Sequence, residues 1–203
     1  MKHIRMILLT LAMIPLAACA LSGEAIEGRV LEEGTNKPIP GAIVVVRWKG
    51  RVSSFVDSQG VCYHVETATT DEQGNYQTKA WSQPRDYLVS FDYIAVDAYK
   101  PGYSLPRQPL RTTEVRYLAP SKGTREERLK FLLRTSSGTQ CNAAGKSEKN
   151  MLPLGRALYD EARSIALTTE DQKSVEILLF GLESLQYGSM EALKRMNERR
   201  GGD

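Results

Sequence analysis

The chain has 203 residues, 41% hydrophobic and 25% charged, with 16 Gly, 9 Pro and 3 Cys. This is globular composition, and it excludes a collagen-like fibre, a long disordered polymer and a multi-span membrane protein. The formal net charge of +3 is far from the clustered basic field that a nucleic-acid binder needs, so no nucleic-acid partner is expected. Even that excess is mostly local. Of the 27 basic residues, Lys2 and Arg5 precede Cys19, which leaves 25 to face 24 acids in the rest of the chain. The length allows one large domain or two small ones, with enough chain to bury a core.

The first elements in chain order form a targeting segment and no part of the fold. Lys2, His3 and Arg5 make a short charged start, and Met6 to Leu16 is an almost unbroken apolar run. The run is shorter than the roughly 20 helical residues that span a bilayer. Leu16-Ala17-Ala18-Cys19 follows. Small residues before the cut site suit a peptidase cleft that excludes bulk. The quartet resembles the lipobox of bacterial lipoproteins. That resemblance implies a signal peptide over residues 1–18 and a diacylglyceryl (palmitate-bearing) lipid on the Cys19 thiol. It implies cleavage before Cys19 and a lipidated tether over residues 19–24. An Ala at position 20, where the family uses Asp for inner-membrane retention, implies anchoring in the outer membrane, facing the periplasm. The alternative is an ordinary secretory signal in which Cys19 is incidental.

Export sets the redox environment for the other two cysteines. Cys62 and Cys141 are a natural disulfide pair in an oxidising compartment. Closing so long a loop contributes about 4–5 kcal/mol by chain entropy. Two free buried thiols, or a metal pair completed by His64, are the competing readings.

Beyond residue 24 the pattern is period-two and β-branched. Ile26 to Leu31 is a first strand, and Glu33 to Pro38 is a turn cluster. Ile43 to Trp48 is apolar enough to lie centrally in a sheet. Lys49 to Gly60 is a loop or a ragged hairpin. Val61 to Ala68, Tyr76 to Trp81, Tyr87 to Val96, Val115 to Leu118 and Arg128 to Leu133 give further strands. Thr135 to Asn150 is polar and marks a boundary. From there the period is helical. Leu154, Leu158, Ala162, Ile165 and Ala166 share one face, behind Pro153 in the first turn. Thr169 with Gln172 is a candidate capping box for a second helix, with Val175, Leu178, Leu179, Leu182 and Leu185 at helical spacing. Gly188-Ser189 separates a third helix, Met190 to Arg199. The expected class is mainly β with an α tail. Its parts are a β-sandwich over 25–134, a linker over 135–150 and a small C-terminal helical region over 151–200.

Two segments carry a further resemblance. One is Gly28-Arg29-Val30 with Pro38-Ile39-Pro40-Gly41-Ala42-Ile43-Val44. The other is Thr69-Thr70-Asp71-Glu72-Gln73-Gly74-Asn75-Tyr76. In order and spacing they resemble the carboxypeptidase regulatory-like domain, a transthyretin-like (Ig-like) β-sandwich. Lys100-Pro101-Gly102-Tyr103 is similar to a later motif of the same family. The residues have physical roles on their own terms. Gly41 permits a tight turn into a buried strand. Asp71 bonds its own backbone two residues on, as an Asx-turn. Gly74 supplies the left-handed residue of a short bulged hairpin. Tyr76 points inward with its hydroxyl at the core edge. These are structural turn residues, and the family's zinc and catalytic Glu belong to a different domain.

Catalytic, cofactor and metal sites are all expected to be absent. After cleavage His64 is the single histidine, with neither H-x-x-E nor H-E-x-x-H around it, so a three-ligand catalytic zinc lacks ligands. Cys62 and His64 are two apart and share one side of an ideal strand. Asp71, Glu72 and Asn75 fail the calcium-loop alternation, because Gln73 and Gly74 interrupt it. Ser53, Ser54, Ser58 and Ser104 lack a G-x-S-x-G setting. Gly145-Lys146-Ser147 lacks the first glycine of a phosphate loop, since Gln140 stands there. Trp48, Trp81, Tyr99 and Tyr103 form either an aromatic carbohydrate platform or half-buried cover. The expected function is a non-catalytic structural or binding module on a lipid anchor. Its partners are the membrane and a protein or other envelope component. The alternative is an assembly subunit of an envelope or secretion machine.

Overall fold

The computed structural model describes residues 20–53, 58–84, 89–105, 114–141 and 147–201. Residues 1–18, Cys19, Ser54 and Gly145-Lys146 lie outside them. The described chain forms nine strands and four α-helices, about 40% helical and 36% strand. The strands lie between residues 20 and 120 and the helices from 125 onward, an arrangement loosely consistent with the expected sandwich followed by a helical tail.

Three layers build the molecule. The first is a four-stranded sheet ordered β5-β2-β9-β8, made of β2 (Glu27–Glu32), β5 (Asn75–Gln77), β8 (Tyr103–Ser104) and β9 (Val115–Pro120). The second is a three-stranded sheet ordered β4-β3-β7, made of β3 (Ile43–Ser53), β4 (Ser58–Thr69) and β7 (Val89–Tyr99). All pairings are antiparallel except β2 with β9. The sheets share one apolar core, in which Val30, Tyr76 and Leu118 meet Val44, Val46, Trp48 and Val96. The apolar run Ile43–Trp48 lies in the central strand, as its composition requires.

Helices form the third layer: α1 (Arg125–Gly138), α2 (Leu152–Ile165), α3 (Thr169–Tyr187) and α4 (Ser189–Arg200). The apolar faces of the first three cover the outer face of the three-stranded sheet, and α4 packs on α3. Val45, Cys62, Val65 and Tyr99 from the sheet pack with Leu129, Leu132, Leu154 and Leu158 from α1 and α2. A 3-10 turn at Ser147–Met151 lies along the free edge of β4. There the Val65 amide donates to Ser147 Oγ (3.3 Å), and Asn150 Nδ2 donates to the Val65 carbonyl (3.0 Å). This blunts an edge that would otherwise invite pairing with another chain.

Several expectations from the sequence are corrected here. Residues 128–133 are not a strand; they sit in the middle of α1. The helix starts at a complete capping box, in which Thr124 accepts from the Glu127 amide and Glu127 accepts from the Thr124 amide. The box of α3 is Thr168 with Asp171, one residue before the predicted pair. The predicted strand 76–81 is two strands in different sheets, β5 and β6 (Trp81–Pro84). Residues 135–150 are no free linker, because α1 runs to Gly138 and the 3-10 turn is packed on β4. Nor is 19–24 a free tether: residues Ala20–Gly23 form β1, paired with β6 from Ala20 opposite Pro84 to Gly23 opposite Trp81. Within the expected loop Lys49–Gly60, residues 49–53 and 58–60 belong to β3 and β4, whose register runs to Ser53 opposite Ser58, and residues 54–57 lie outside the described residues.

Candidate cleft between the sheet and the first helix

β3 and β7 present alternate residues to the helical layer, and their charged members are paired across the interface. Arg47 is buried on β3. Its Nη1 donates to the Gly138 carbonyl at the end of α1 (2.6 Å), and its Nη2 donates to Asp97 on β7. Arg128 projects from the buried face of α1 and grips Glu161 of α2 with both arms, Nε to Oε1 and Nη2 to Oε2, each 2.7 Å. The Tyr99 hydroxyl donates to the same carboxylate, and the Gly102 amide donates to it at 3.2 Å. Burial alone would raise the Glu161 carboxyl, but the bonds from Arg128 and Tyr99 outweigh it and hold the group below the usual carboxylate range. Burial, and then the adjoining carboxylate, push the Tyr99 phenol up. Burial lowers the Lys49 ammonium, helped by Arg47 and opposed by Asp97.

Between these clamps lies a cleft of about 370 Å³. Val45, Ala98, Phe131 and Leu154 line it, with Asp97 and Arg134 among its charged groups. Such a mixture, mostly apolar with a few polar groups, suits recognition of a small amphipathic group or a side chain. Asp97 and Glu161 are both engaged by arginine, so neither is a free general base.

Cys62 and His64 are two apart in sequence, yet their side chains lie on opposite faces of the sheet. Cys62 is bonded to Cys141, with Cα atoms 5.0 Å apart and a sequence separation of 79. The bond ties β4 to the chain just beyond α1. His64 lies on the other face. The register passes from Trp48 opposite His64 to Lys49 opposite Cys62, so Tyr63 is an extra residue. That β-bulge turns Cys62 toward the helices and His64 toward the shared core. The expectation that Cys62 and His64 share a side is corrected for this reason. His64 Nδ1 meets Gln83 Oε1 and Nε2 meets Glu66 Oε1, each at 3.0 Å. Its ring stacks on Trp81 with centroids 3.7 Å apart and meets Trp48 edge-on. Among the described residues no group of three His, Cys, Asp or Glu is placed to hold a metal ion.

The other residues singled out by the sequence are structural in their contacts. Gly41 has φ +65°, and a Cβ there would stand 2.9 Å from Lys100 Nζ, which donates to the Pro40 carbonyl. Asp71 Oδ1 accepts from the amides of Gln73 (2.9 Å) and Asn75 (2.8 Å), the Asx-turn read from sequence. The Asn75 amide and the other bonds to this carboxylate hold Asp71 below the usual range. Gly74 has φ +74°, and a Cβ would lie 2.6 Å from the Val30 carbonyl. Tyr76 is buried in the shared core. The turn is not the expected hairpin. β4 and β5 belong to different sheets, so Asp71–Asn75 is a corner that carries the chain across the core. Trp48, Trp81 and Tyr99 are buried, and Tyr103 is partly so, donating to Glu32 at 3.2 Å. They are cover and core, and no surface platform. Ser104 Oγ accepts from Arg128 Nη1 at 3.4 Å. The side chains of Ser53 and Ser58 lie outside what is described.

Sequence reasoning missed the Arg128–Glu161–Tyr99 cluster. A signal was present: Arg128 interrupts an apolar stripe, Leu129 and Leu132, immediately after a Thr-x-x-Glu start. It also missed the exposed aromatics Phe91 and Tyr93 of β7. Comparison with family models, with curated proteins and with solved structures finds no match.

Proposed function

We propose that this chain is an outer-membrane lipoprotein, anchored through Cys19 and facing the periplasm, whose transthyretin-like sandwich and helical layer form a rigid, non-catalytic binding module. The observation that carries the binding role is the cleft at the sheet–helix interface. It offers apolar lining beside Asp97, which is paired with Arg47, and beside the cation of Arg134. A site of that kind holds a ligand and lacks an activated nucleophile or base. Two sheets of four and three strands around one core support the sandwich reading. Rigidity is supported by three ties between sheet and helices: the Cys62–Cys141 bond, Arg47 to Gly138, and Tyr99 to Glu161.

The test has two arms. Acyl labelling and envelope fractionation compare the full chain with Cys19→Ser, and the expected outcome is loss of label and of outer-membrane association. Cross-linking in the envelope compares the full chain with Thr135→Trp, which fills the cleft from α1. A cross-linked species that disappears in Thr135→Trp supports the cleft. A pattern unchanged by that substitution rejects it.

A further inference from the structure

We propose that the cleft between the sheet and α1 takes a medium-chain monocarboxylate, with its alkyl chain on the apolar floor and its carboxylate at Arg134. This rests on the binding role given to the cleft above.

The shape comes from helical periodicity set against a strand. Phe131, Arg134, Thr135 and Gly138 recur at i, i+3, i+4 and i+7 along α1 and form one stripe of that helix. Val45 of β3 and Tyr99 of β7 lie across from them, and Leu154 of α2 adds to the floor. Val45, Tyr99 and Leu154 are buried, whereas Leu105 and Arg134 are exposed at the mouth. Gly138 ends the stripe without a side chain, and a Cβ there would meet nothing within 4 Å. At about 30 Å³ for each water-sized heavy atom, the cleft volume of about 370 Å³ holds about 12 such atoms.

Charge decides the sign of the ligand. Two carboxylates reach this face, and each is held by an arginine: Asp97 by Arg47, and Glu161 by Arg128. Two cations have no such partner among the described residues. Arg134 lines the cleft and makes no ion pair or hydrogen bond there. Lys49 stands opposite Cys62, close enough to Arg47 and Asp97 to feel both, and makes no ion pair either. Arg47 is only 7% exposed, and its Nε has no partner. The carbonyl end of α1 would oppose an anion, but it presents no bare acceptors. The carbonyls of Thr135, Ser136, Ser137 and Gly138 accept from Thr139, Gln140 and Arg47. The surplus is positive, and an anion balances it.

The donors decide the class of ligand. Thr135 and Thr139 give their hydroxyl protons to carbonyls of α1, and Tyr99 gives its proton to Glu161. A peptide in the cleft would leave its own buried carbonyls short of donors, which is costly. An alkyl chain brings no such groups. Its one polar end meets the Arg134 guanidinium, whose fork of N–H bonds matches a carboxylate. An eight-carbon acid such as octanoate fits the volume.

The experiment titrates octanoate, octan-1-ol and a dipeptide of alanine and leucine with a free carboxylate into the full chain in non-ionic detergent, followed by calorimetry. The wild type is compared with Arg134→Gln and Thr135→Trp. The expected result is one octanoate per chain, bound about tenfold more tightly than octanol. Arg134→Gln should erase that preference and leave octanol binding unchanged, and Thr135→Trp should remove both. Arg134 is exposed, so Arg134→Gln decides the matter should Thr135→Trp disturb α1. Octanoate held no more tightly than octanol, or equally well by Arg134→Gln, overturns the proposal. Octanoate binding that survives in folded Thr135→Trp places the site elsewhere and overturns it too. A dipeptide that binds more tightly than octanoate makes the occupant a chain terminus, which also overturns it. Absence of octanoate binding, with a cross-linked species that still disappears in Thr135→Trp, overturns the ligand class and leaves the binding role of the cleft standing. Absence of octanoate binding with cross-links indifferent to Thr135→Trp overturns both together.

Discussion

Gly28 on β2 sits opposite Tyr76 on β5, and a Cβ on residue 28 would lie 2.6 Å from the Tyr76 hydroxyl and 2.6 Å from the Glu114 carbonyl. The tyrosine ring occupies the space that the glycine leaves open. This pairing physically links the Gly-x-Val and Gly-x-Tyr segments, which are far apart in sequence.

Gly28→Ala is therefore expected to destabilise the protein by about 1–3 kcal/mol through overpacking against backbone and ring. Gly181→Ala should do the reverse. It lies inside α3 and its added Cβ would meet nothing nearer than Ser136 Oγ at 3.8 Å. Helix propensity then adds about 0.5–1 kcal/mol. Urea unfolding of the two variants checks the opposite signs.

The Cys62–Cys141 bond closes a separation of 79 residues. Chain-entropy arguments assign a loop of this size about 4–5 kcal/mol, and removing a native disulfide costs about 2–5 kcal/mol. Cys62→Ser with Cys141→Ser should lower Tm markedly, and reductant should lower the wild-type Tm to a similar level. Equal melting with and without reductant would show that the two thiols are not joined in the folded protein.

Arg128→Met leaves the Glu161 carboxylate without its bidentate partner in a buried site. Breaking one half of such a pair costs about 3–5 kcal/mol. Glu161 also makes stability depend on pH. Its folded value is depressed, so its contribution is present above the ordinary glutamate value near 4.3 and is lost as pH falls through the lower folded value. Acid should thus erode the wild type below about pH 4. Glu161→Gln should flatten that slope, although Asp71 and Asp171, also held low by backbone amides, keep some of it. Thermal melts from pH 6 to 3 compare the two.

His64 fills the gap between Trp48 and Trp81 and engages Gln83 and Glu66. His64→Ala is expected to destabilise by about 2–5 kcal/mol, in the range of a large-to-small core change. Zinc content measured on protein purified without added metal should be substoichiometric and identical in both. One zinc per chain that disappears in the variant would contradict the structural role given to this ring.

Period-two patterning was enough to locate β2, β4 and β9, because alternation decides which face of a strand is buried, and a continuous apolar run located the central β3. Turn chemistry was equally local. Gly41 and Gly74 do adopt positive φ, and Asp71 does close an Asx-turn. The three later helices were legible from their spacing. Local signals failed where two codes overlap. Arg128 to Leu133 is apolar enough for a strand, and the Thr124–Glu127 capping box that starts a helix there was overlooked.

Each segment's intrinsic preference, whether alternation, helical stripe or turn, is encoded locally in the chain. Which segments meet is set by packing over long sequence distances. Whether Asp71–Asn75 joins two strands of one sheet or crosses between two depends on the partners that β4 and β5 find, β3 and β2. The sides taken by Cys62 and His64 depend on one extra residue, Tyr63, in the pairing with β3. Arg128, Glu161 and Tyr99 lie on three elements and converge because two layers pack. Such contacts arise from long-range packing and pairing register, and a local pattern encodes neither, since it constrains a residue's own backbone and not its distant neighbours.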